Sequence, residues 1–455
     1  MSSPDPRTVL TRRAITVWVA AVAVYVVAIT GRTSFGVAGV EAIERFGIDA
    51  SRIAVFTAVQ IGVYAFAQIP MGMLIDRFGP RKMLVAGAVV MGAGQILLGL
   101  TGNYWVAILA RVLIGAGDAS AFLSVMRILP YWFPLKKTPL FTQLTASLGQ
   151  LGQFISAVPF MALLHLSGWT VAFVSLGAVG VLIAMAAGVA VADSPDTDDA
   201  AKQARAEKKA RRAGEEPPLD DAVVTPREPA QVWELLKMVL RSPVCWLGFF
   251  IHYSCMLPQI VFTLLWGVPM MILGMGLSSA QAALVLTLNT VATVSIGPLL
   301  GLISSRLGQR RELGALAFTL IIGATWIIFF MSETPRGLMA IIIVNIIVAM
   351  CTPAANFGFD HVRERLDRKF VATGTGLSNM GGFLSGMLAA QLVGVLLDWS
   401  AQGKTYAWAD FRIAWIAVIV VWALGVIGLL ISRSAMLRSD RGRGRGTKVV
   451  EHTEV

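Results

Sequence analysis

The sequence predicts an all-α membrane protein of twelve transmembrane helices in two six-helix bundles. Three features carry this expectation. The 455 residues are 56% hydrophobic and only 14% charged, where a soluble domain carries about 25% charged residues. A loop recurs at half-chain spacing. Gly72-Met-Leu-Ile-Asp76-Arg77-Phe-Gly79-Pro-Arg81-Lys82 returns as Gly301-Leu-Ile-Ser-Ser305-Arg306-Leu-Gly308-Gln-Arg310-Arg311, each position 229 residues on. The glycines, the first arginine and the paired cations match, while Asp76 has become Ser305. Finally, each copy sits between two long apolar runs, and a basic loop repeated there implies a duplicated membrane protein with equivalent loops on one side.

Taken in order, the apolar runs lie at about 15–38, 52–74, 83–101, 104–127, 139–163 and 170–192, then 243–268, 278–303, 313–332, 337–358, 371–397 and 410–432. About 20 apolar residues cross a hydrocarbon core of about 30 Å. These runs are too long and too continuously apolar for barrel strands, so helices are expected. The polar, Pro-containing start and Arg12–Arg13 precede a full-length run, which marks a retained first helix. Residues 1–192 form one bundle and 239–432 the other, joined by a linker at 193–238 and followed by a basic tail at 433–455. The linker composition could bury no core and reads as flexible, except that residues 231–240 form a short amphipathic helix at the membrane surface. The basic tail reads as solvated and disordered, with contact to anionic headgroups as the alternative. Glycine-rich faces, such as Gly374, Gly376, Gly381, Gly382 and Gly386, allow close helix approach in lipid.

The net charge of +11 does not point to nucleic acid. Arg12–Arg13, Arg77–Lys82, Lys136–Lys137, the 202–212 run, Arg306–Arg311, Arg363–Lys369 and the 433–448 tail all fall on one side when the runs are counted. That places both termini in the cytoplasm of a multi-pass protein of the cytoplasmic (inner or plasma) membrane. Cys245, Cys255 and Cys351 show no metal or disulfide spacing. No nucleophile–base pair or phosphate loop appears, so an enzyme is not expected.

The pattern Gly-x-x-x-Asp-Arg-x-Gly-x-Arg-Lys between the second and third runs resembles the signature loop of the major facilitator superfamily. Two six-helix bundles joined by a cytoplasmic linker is the architecture that this resemblance implies. It also implies a conformational latch formed by Gly72, Asp76, Arg77, Gly79, Arg81, Lys82, Arg306 and Arg310. With Ser305 in the second copy, the latch is expected to be one-sided.

Ionisable residues inside runs mark function by default. Here they are Arg32, Arg111, Asp118, Arg127 at a cytoplasmic end, and His252. Arg111 and Asp118 are seven residues apart, so they share a helix face to within about 20° and stand about 10 Å apart along the axis. Another side chain, water or a substrate must lie between them, or each has its own partner. Gly31-Arg32-Thr-Ser-Phe, Gly117-Asp118-Ala-Ser-Ala-Phe and Tyr131-Trp-Phe-Pro134 are similar to the anion:cation symporter group of this superfamily. The resemblance implies that Arg32 and Arg111 contact an anionic substrate and that Asp118 takes the proton. Some members carry an acid before the first-helix arginine, where this chain has Gly31. Tyr64, Gln153 and His252 are further candidates to line the substrate path. Interhelical hydrogen bonding explains each equally well when taken alone. Asp360 and His361 are expected to be solvated at a cytoplasmic end.

The expectation is a monomeric, proton-coupled secondary transporter of a small organic anion, of sugar-acid or carboxylate type. Its partners are the small-molecule substrate, the proton and membrane lipid; it needs no cofactor or metal and binds no nucleic acid. A multidrug/proton antiporter of the same fold is the alternative. Against it, Gly149-Gln-Leu-Gly152 onward to Pro159 does not preserve the antiporter element of the fifth helix. A non-transporting scaffold would gain nothing from buried ions.

Overall fold

The computed structural model describes residues 9–48, 50–201, 203 and 232–450, nearly all of them helical. The first half contains α1 (Arg12–Val37), α2 (Gly39–Phe46), α3 (Ala50–Phe78), α4 (Pro80–Leu100), α5 (Tyr104–Trp132), α6 (Thr138–Ile155) and α7 (Met161–Ala190). The second contains α8 (Val232–Arg241), α9 (Pro243–Val261), α10 (Ser279–Leu307), α11 (Arg311–Phe330), α12 (Leu338–Cys351), α13 (Phe357–Arg365), α14 (Val371–Ala401) and α15 (Trp408–Val450). Their starts are written locally. Thr11 caps α1 and Asn103 caps α5 by accepting from first-turn N–H groups. Ser278 and Gln281 form a reciprocal capping box on α10. Pro80 and Pro243 open α4 and α9, where the missing N–H is not needed.

Among the described residues, ten continuous stretches are long and apolar enough to cross a membrane, and two of them, Thr138–Ala190 and Ser279–Phe330, run 53 and 52 residues. Each of these is about 80 Å of helix against a core of about 30 Å. The first turns back at Gly168, where φ is 77°. The second turns back at Gly308, between α10 and α11. Each supplies two crossings, so ten stretches make the twelve expected spans. Exposed side chains along them are largely Leu, Val and Ile, as a lipid-facing surface requires.

The chain divides into two compact units, 1–138 with 148–236 and 368–373, and 139–147 with 237–367 and 374–455. The start of α6 therefore belongs with the second unit, and the residues leading into α14 with the first. The first unit has an aromatic core in which Phe35 stacks on Phe56 and meets Trp169 edge-on. In the second, Trp326, Phe330, Trp408 and Trp415 stack together.

Residues 202 and 204–231 of the expected linker lie outside the described residues. Within the rest of it, α8 is amphipathic, with Leu235 and Val239 buried and Trp233 exposed. The expected disordered tail differs from what is seen, since α15 continues as helix to Val450. Extending an existing helix avoids the cost of a new nucleus.

Candidate functional site

Four of the predicted residues converge inside the first unit. Arg32 comes from α1, Tyr64 from α3, and Arg111 and Asp118 from α5. Arg32 grips Asp118 in a two-pronged pair, Nε to Oδ2 at 2.6 Å and Nη2 to Oδ1 at 3.0 Å. Its guanidinium also lies 4.2 Å from the centre of the Tyr64 ring. The fork geometry of arginine matches a carboxylate, and the aromatic face adds a cation–π contact. The Asp118 side chain is wholly buried, so this pair sits in a medium that strengthens it but penalises either ion alone.

Arg111 is arranged differently. It is buried, its guanidinium stands 4.7 Å from the Phe35 ring centre, and its Nε and Nη1 have no hydrogen-bond partner. The shared face predicted for Arg111 and Asp118 is real, but the acid is held by the arginine of another helix. Both arginines lean on aromatic faces, which stabilise a cation without neutralising it.

Where some members of the group carry an acid, Gly31 is packed against α4: Gln95 donates through Nε2 to its carbonyl at 2.9 Å. A side chain at position 31 would meet Gln95 and Met91. Two residues unforeseen from sequence complete the cluster. Tyr25, two turns before Arg32 on α1, lies within electrostatic reach of Arg32 and Asp118. Gln60, one turn before Tyr64 on α3, is buried with neither amide atom hydrogen-bonded. The i, i+4 relation to Tyr64 was the only available signal for Gln60.

Gln153 stands apart, on an exposed face of α6. His252 belongs to the second unit, on α9, and is buried. Its Nδ1 lies 3.5 Å from the Ala355 carbonyl, its ring packs on Phe359 at 4.7 Å, and its side chain also bonds to Asn379. Nearby, Gln259, Asn289 and Asn345 link α9, α10 and α12 through their amides, with Gln259 Nε2 donating to Asn289 Oδ1 at 2.5 Å and Asn289 Nδ2 donating to Asn345 Oδ1 at 3.2 Å.

The repeated loop builds a carboxylate cluster in the first unit. Asp76 is fully buried and accepts from Arg127 Nε at 2.9 Å, Ala372 N at 3.1 Å, and Thr373 N and Oγ1 at 2.7 Å each. The backbone donors come from the start of α14, an N-terminus that favours an anion. Gly72, one turn earlier, lets α3 approach, since a Cβ there would meet Ala372 O at 2.6 Å. Arg81 binds beyond the loop, its N to Asp193 Oδ1 at 2.8 Å and its Nε to Gly188 O at 2.5 Å. Burial raises the Asp193 carboxyl above its ordinary range, and the bond from Arg81 N opposes that shift. Gly79 abuts Asp193, Arg77 lies over Phe78, and Lys82 is exposed. Arg306 and Arg310 of the second copy are exposed as well.

The expectation of a one-sided cluster needs correction. Ser305 turns back to bond the Gly301 carbonyl, yet a buried carboxylate is present in the second unit. Asp360 of α13 accepts from Ser304 Oγ at 2.6 Å, Arg363 Nη1 at 3.0 Å and Thr142 Oγ1 at 3.3 Å. Arg363 Nη2 also donates to Thr142 Oγ1 at 2.8 Å. Asp360 and His361 are therefore not solvated; both are 1% exposed. The apolar neighbours Phe357, Phe359 and Val362 draw this helix inward, which sequence position at the end of a span did not reveal.

Among the described residues, no group of His, Cys, Asp and Glu could hold a metal ion. Similarity to known proteins agrees with the fold. Over 379 residues the chain is 24% identical to a probable sulfoacetate transporter, SauU, of Cupriavidus necator, covering 82% of this chain and 85% of that protein. It is 28% identical over 154 residues to a probable L-galactonate transporter of Escherichia coli, 34% of each chain. It is 24% identical over 286 residues to the probable galactarate/D-glucarate transporter GudP of Escherichia coli, covering 61% and 63%. The Major Facilitator Superfamily model matches residues 21–390, and with the twelve spans and the repeated loop this makes the chain a member of the major facilitator superfamily.

Proposed function

We propose that the protein is a proton-coupled secondary transporter that moves a small organic anion, of sugar-acid or carboxylate type, by alternating access of its two bundles. One observation carries this reading: a buried Asp118, held by a partly buried Arg32, stands on the same helix as a buried Arg111 that has N–H groups to spare. With Asp118 ionised, Arg32 is occupied. Protonating Asp118 releases the Arg32 fork for a substrate carboxylate, so proton and anion load together. The charge balance supports symport. Arg32, Arg111 and ionised Asp118 sum to one positive charge. Protonated Asp118 with a bound monoanion gives the same sum, so loading adds no net charge to a low-dielectric site. The organic anions in the relatives' names support the substrate class. One-sided cations support a cytoplasmic membrane location with both termini inside.

The test is uptake into proteoliposomes of sulfoacetate, galactonate and glucarate, with and without an acid-outside pH gradient. Gradient-dependent accumulation of at least one, abolished by a protonophore, is expected. Response to a cationic dye and to none of the anions would instead make the protein a drug antiporter.

A further inference from the structure

Arg111 and the Arg32–Asp118 pair are separated by seven residues of α5, about 10 Å of helix. Gln60 occupies the level between them. Its carbonyl packs at Gly115 of α5, where an added Cβ would lie 2.7 Å from Gln60 O. Gly115 is four residues from Arg111 and three from Asp118, about 6 Å and about 4.5 Å along the axis. The direction of the side chain follows from its helix stripe. Phe56, Gln60 and Tyr64 recur at four-residue spacing on α3, one face of the helix. Phe56 stacks on Phe35, which Arg111 covers, and Tyr64 lies under Arg32. Gln60 is thus bracketed by residues that meet the two arginines.

Its chemistry is unspent. Gln60 is 1% exposed, and neither Nε2 nor Oε1 has a hydrogen-bond partner. Arg111, four residues from Gly115 on α5, has two nitrogens without a hydrogen-bond partner. A buried amide left unpaired is destabilising, and an apolar residue of the same shape would not incur that cost. A carboxylate would satisfy Arg111 but leave the Gln60 carbonyl without a donor. A hydroxylated chain satisfies both ends of the amide. One hydroxyl donates to Oε1 and its neighbour accepts from Nε2, a two-bond match to a vicinal diol.

We infer that Gln60 is a substrate-binding residue that reads vicinal hydroxyls of a polyhydroxy acid whose carboxylate lies at the arginines. This rests on the anion-transport reading and narrows it, favouring hydroxylated sugar acids over plain carboxylates or sulfonates. Sites that hydrogen-bond a substrate hydroxyl discriminate strongly against analogues lacking it, because the buried polar group is then left unpaired.

The experiment is equilibrium binding of glucarate and adipate, six-carbon diacids with and without hydroxyls, to the purified full-length protein. Wild type should bind glucarate at least about tenfold more tightly than adipate. Gln60→Met should erase most of that preference by weakening glucarate alone. Its melting temperature without ligand should be no lower than that of wild type, since the substitution removes an unpaired amide. Arg111→Gln should weaken both diacids. A wild-type ratio near one, an unchanged ratio in Gln60→Met, or equal loss of both ligands with a lowered melting temperature would each overturn the assignment of Gln60 and leave the anion reading standing. Failure of wild type to bind either diacid would overturn the assignment of Gln60, and failure to bind galactonate and sulfoacetate as well would defeat the anion-transport reading.

Discussion

Among its spans the first unit holds ionised side chains, and the second holds a closed network of amides. Arg32, Asp118 and Arg111 lie in the first, whereas Gln259, Asn289 and Asn345 are bonded to one another in the second. The difference is one of switchability. An ion pair can exchange a proton or a counter-ion and so change partners. A closed amide network has the same charge in every state, and its bonds are already satisfied. Coupling is therefore expected in the first unit and fixed helix packing in the second. At the basic ends of the bundles the units are instead alike: Asp76 with Arg127 and Thr373 in one, Asp360 with Arg363 and Thr142 in the other.

The largest expected effect is at Asp118. Asp118→Asn should abolish accumulation driven by a pH gradient while counterflow exchange survives, because exchange needs no net proton movement. Undiminished gradient-driven uptake would move the coupling group elsewhere, with His252 next to be tested. Arg32→Lys should follow. Lysine cannot reproduce the two-pronged grip, so anion affinity should fall by about tenfold or more, a loss of about 1.4 kcal/mol or more, in protein that still reaches the membrane. Normal affinity would make Arg32 a packing residue.

The two carboxylate clusters come next. Removing one partner of a buried ion pair costs about 3–5 kcal/mol because the other charge is left buried. Asp76→Asn and Asp360→Asn should therefore both lower thermal stability and transport, to similar degrees. Ser305→Ala removes a hydroxyl that bonds its own helix and should cost under about 1 kcal/mol. A silent Asp360→Asn would show that the second cluster does not replace the carboxylate missing from the second loop. The smallest effect is expected in the amide network. Asn289→Ala should cost about 0.6 kcal/mol, and at most about 2, and leave the proton dependence of uptake unchanged. A shifted pH profile in this variant would break the division of labour between ions and amides.

The spans, the duplication and the candidate ions were legible in the sequence, whereas the pairing was not. Arg111 and Asp118 share a face by periodicity, which tempts a reading of them as partners. The structure gives Asp118 to Arg32, 86 residues away on another helix. Gln60 and Tyr25 are inconspicuous in the sequence, because a single polar residue in an apolar run has no periodicity of its own. The burial of Asp360 is not legible there either, because its position at the end of a span says nothing about which side of the helix is covered.

Sequence alone determined the twelve spans, since lipid demands about 20 apolar residues for each crossing whatever surrounds it. It determined the repeat, because duplication leaves its pattern in the chain, and it marked Arg32, Arg111 and Asp118, because ions in an apolar run stand out. Tertiary structure decided which arginine holds the acid and which keeps free N–H groups. It also decided that Gln60 packs at Gly115 between them, and that Asp360 is buried against Ser304 and Thr142. Local sequence sets the angle of a side chain about its own helix, but only packing brings a second helix to meet it, and the energies of buried ions and amides depend on that meeting.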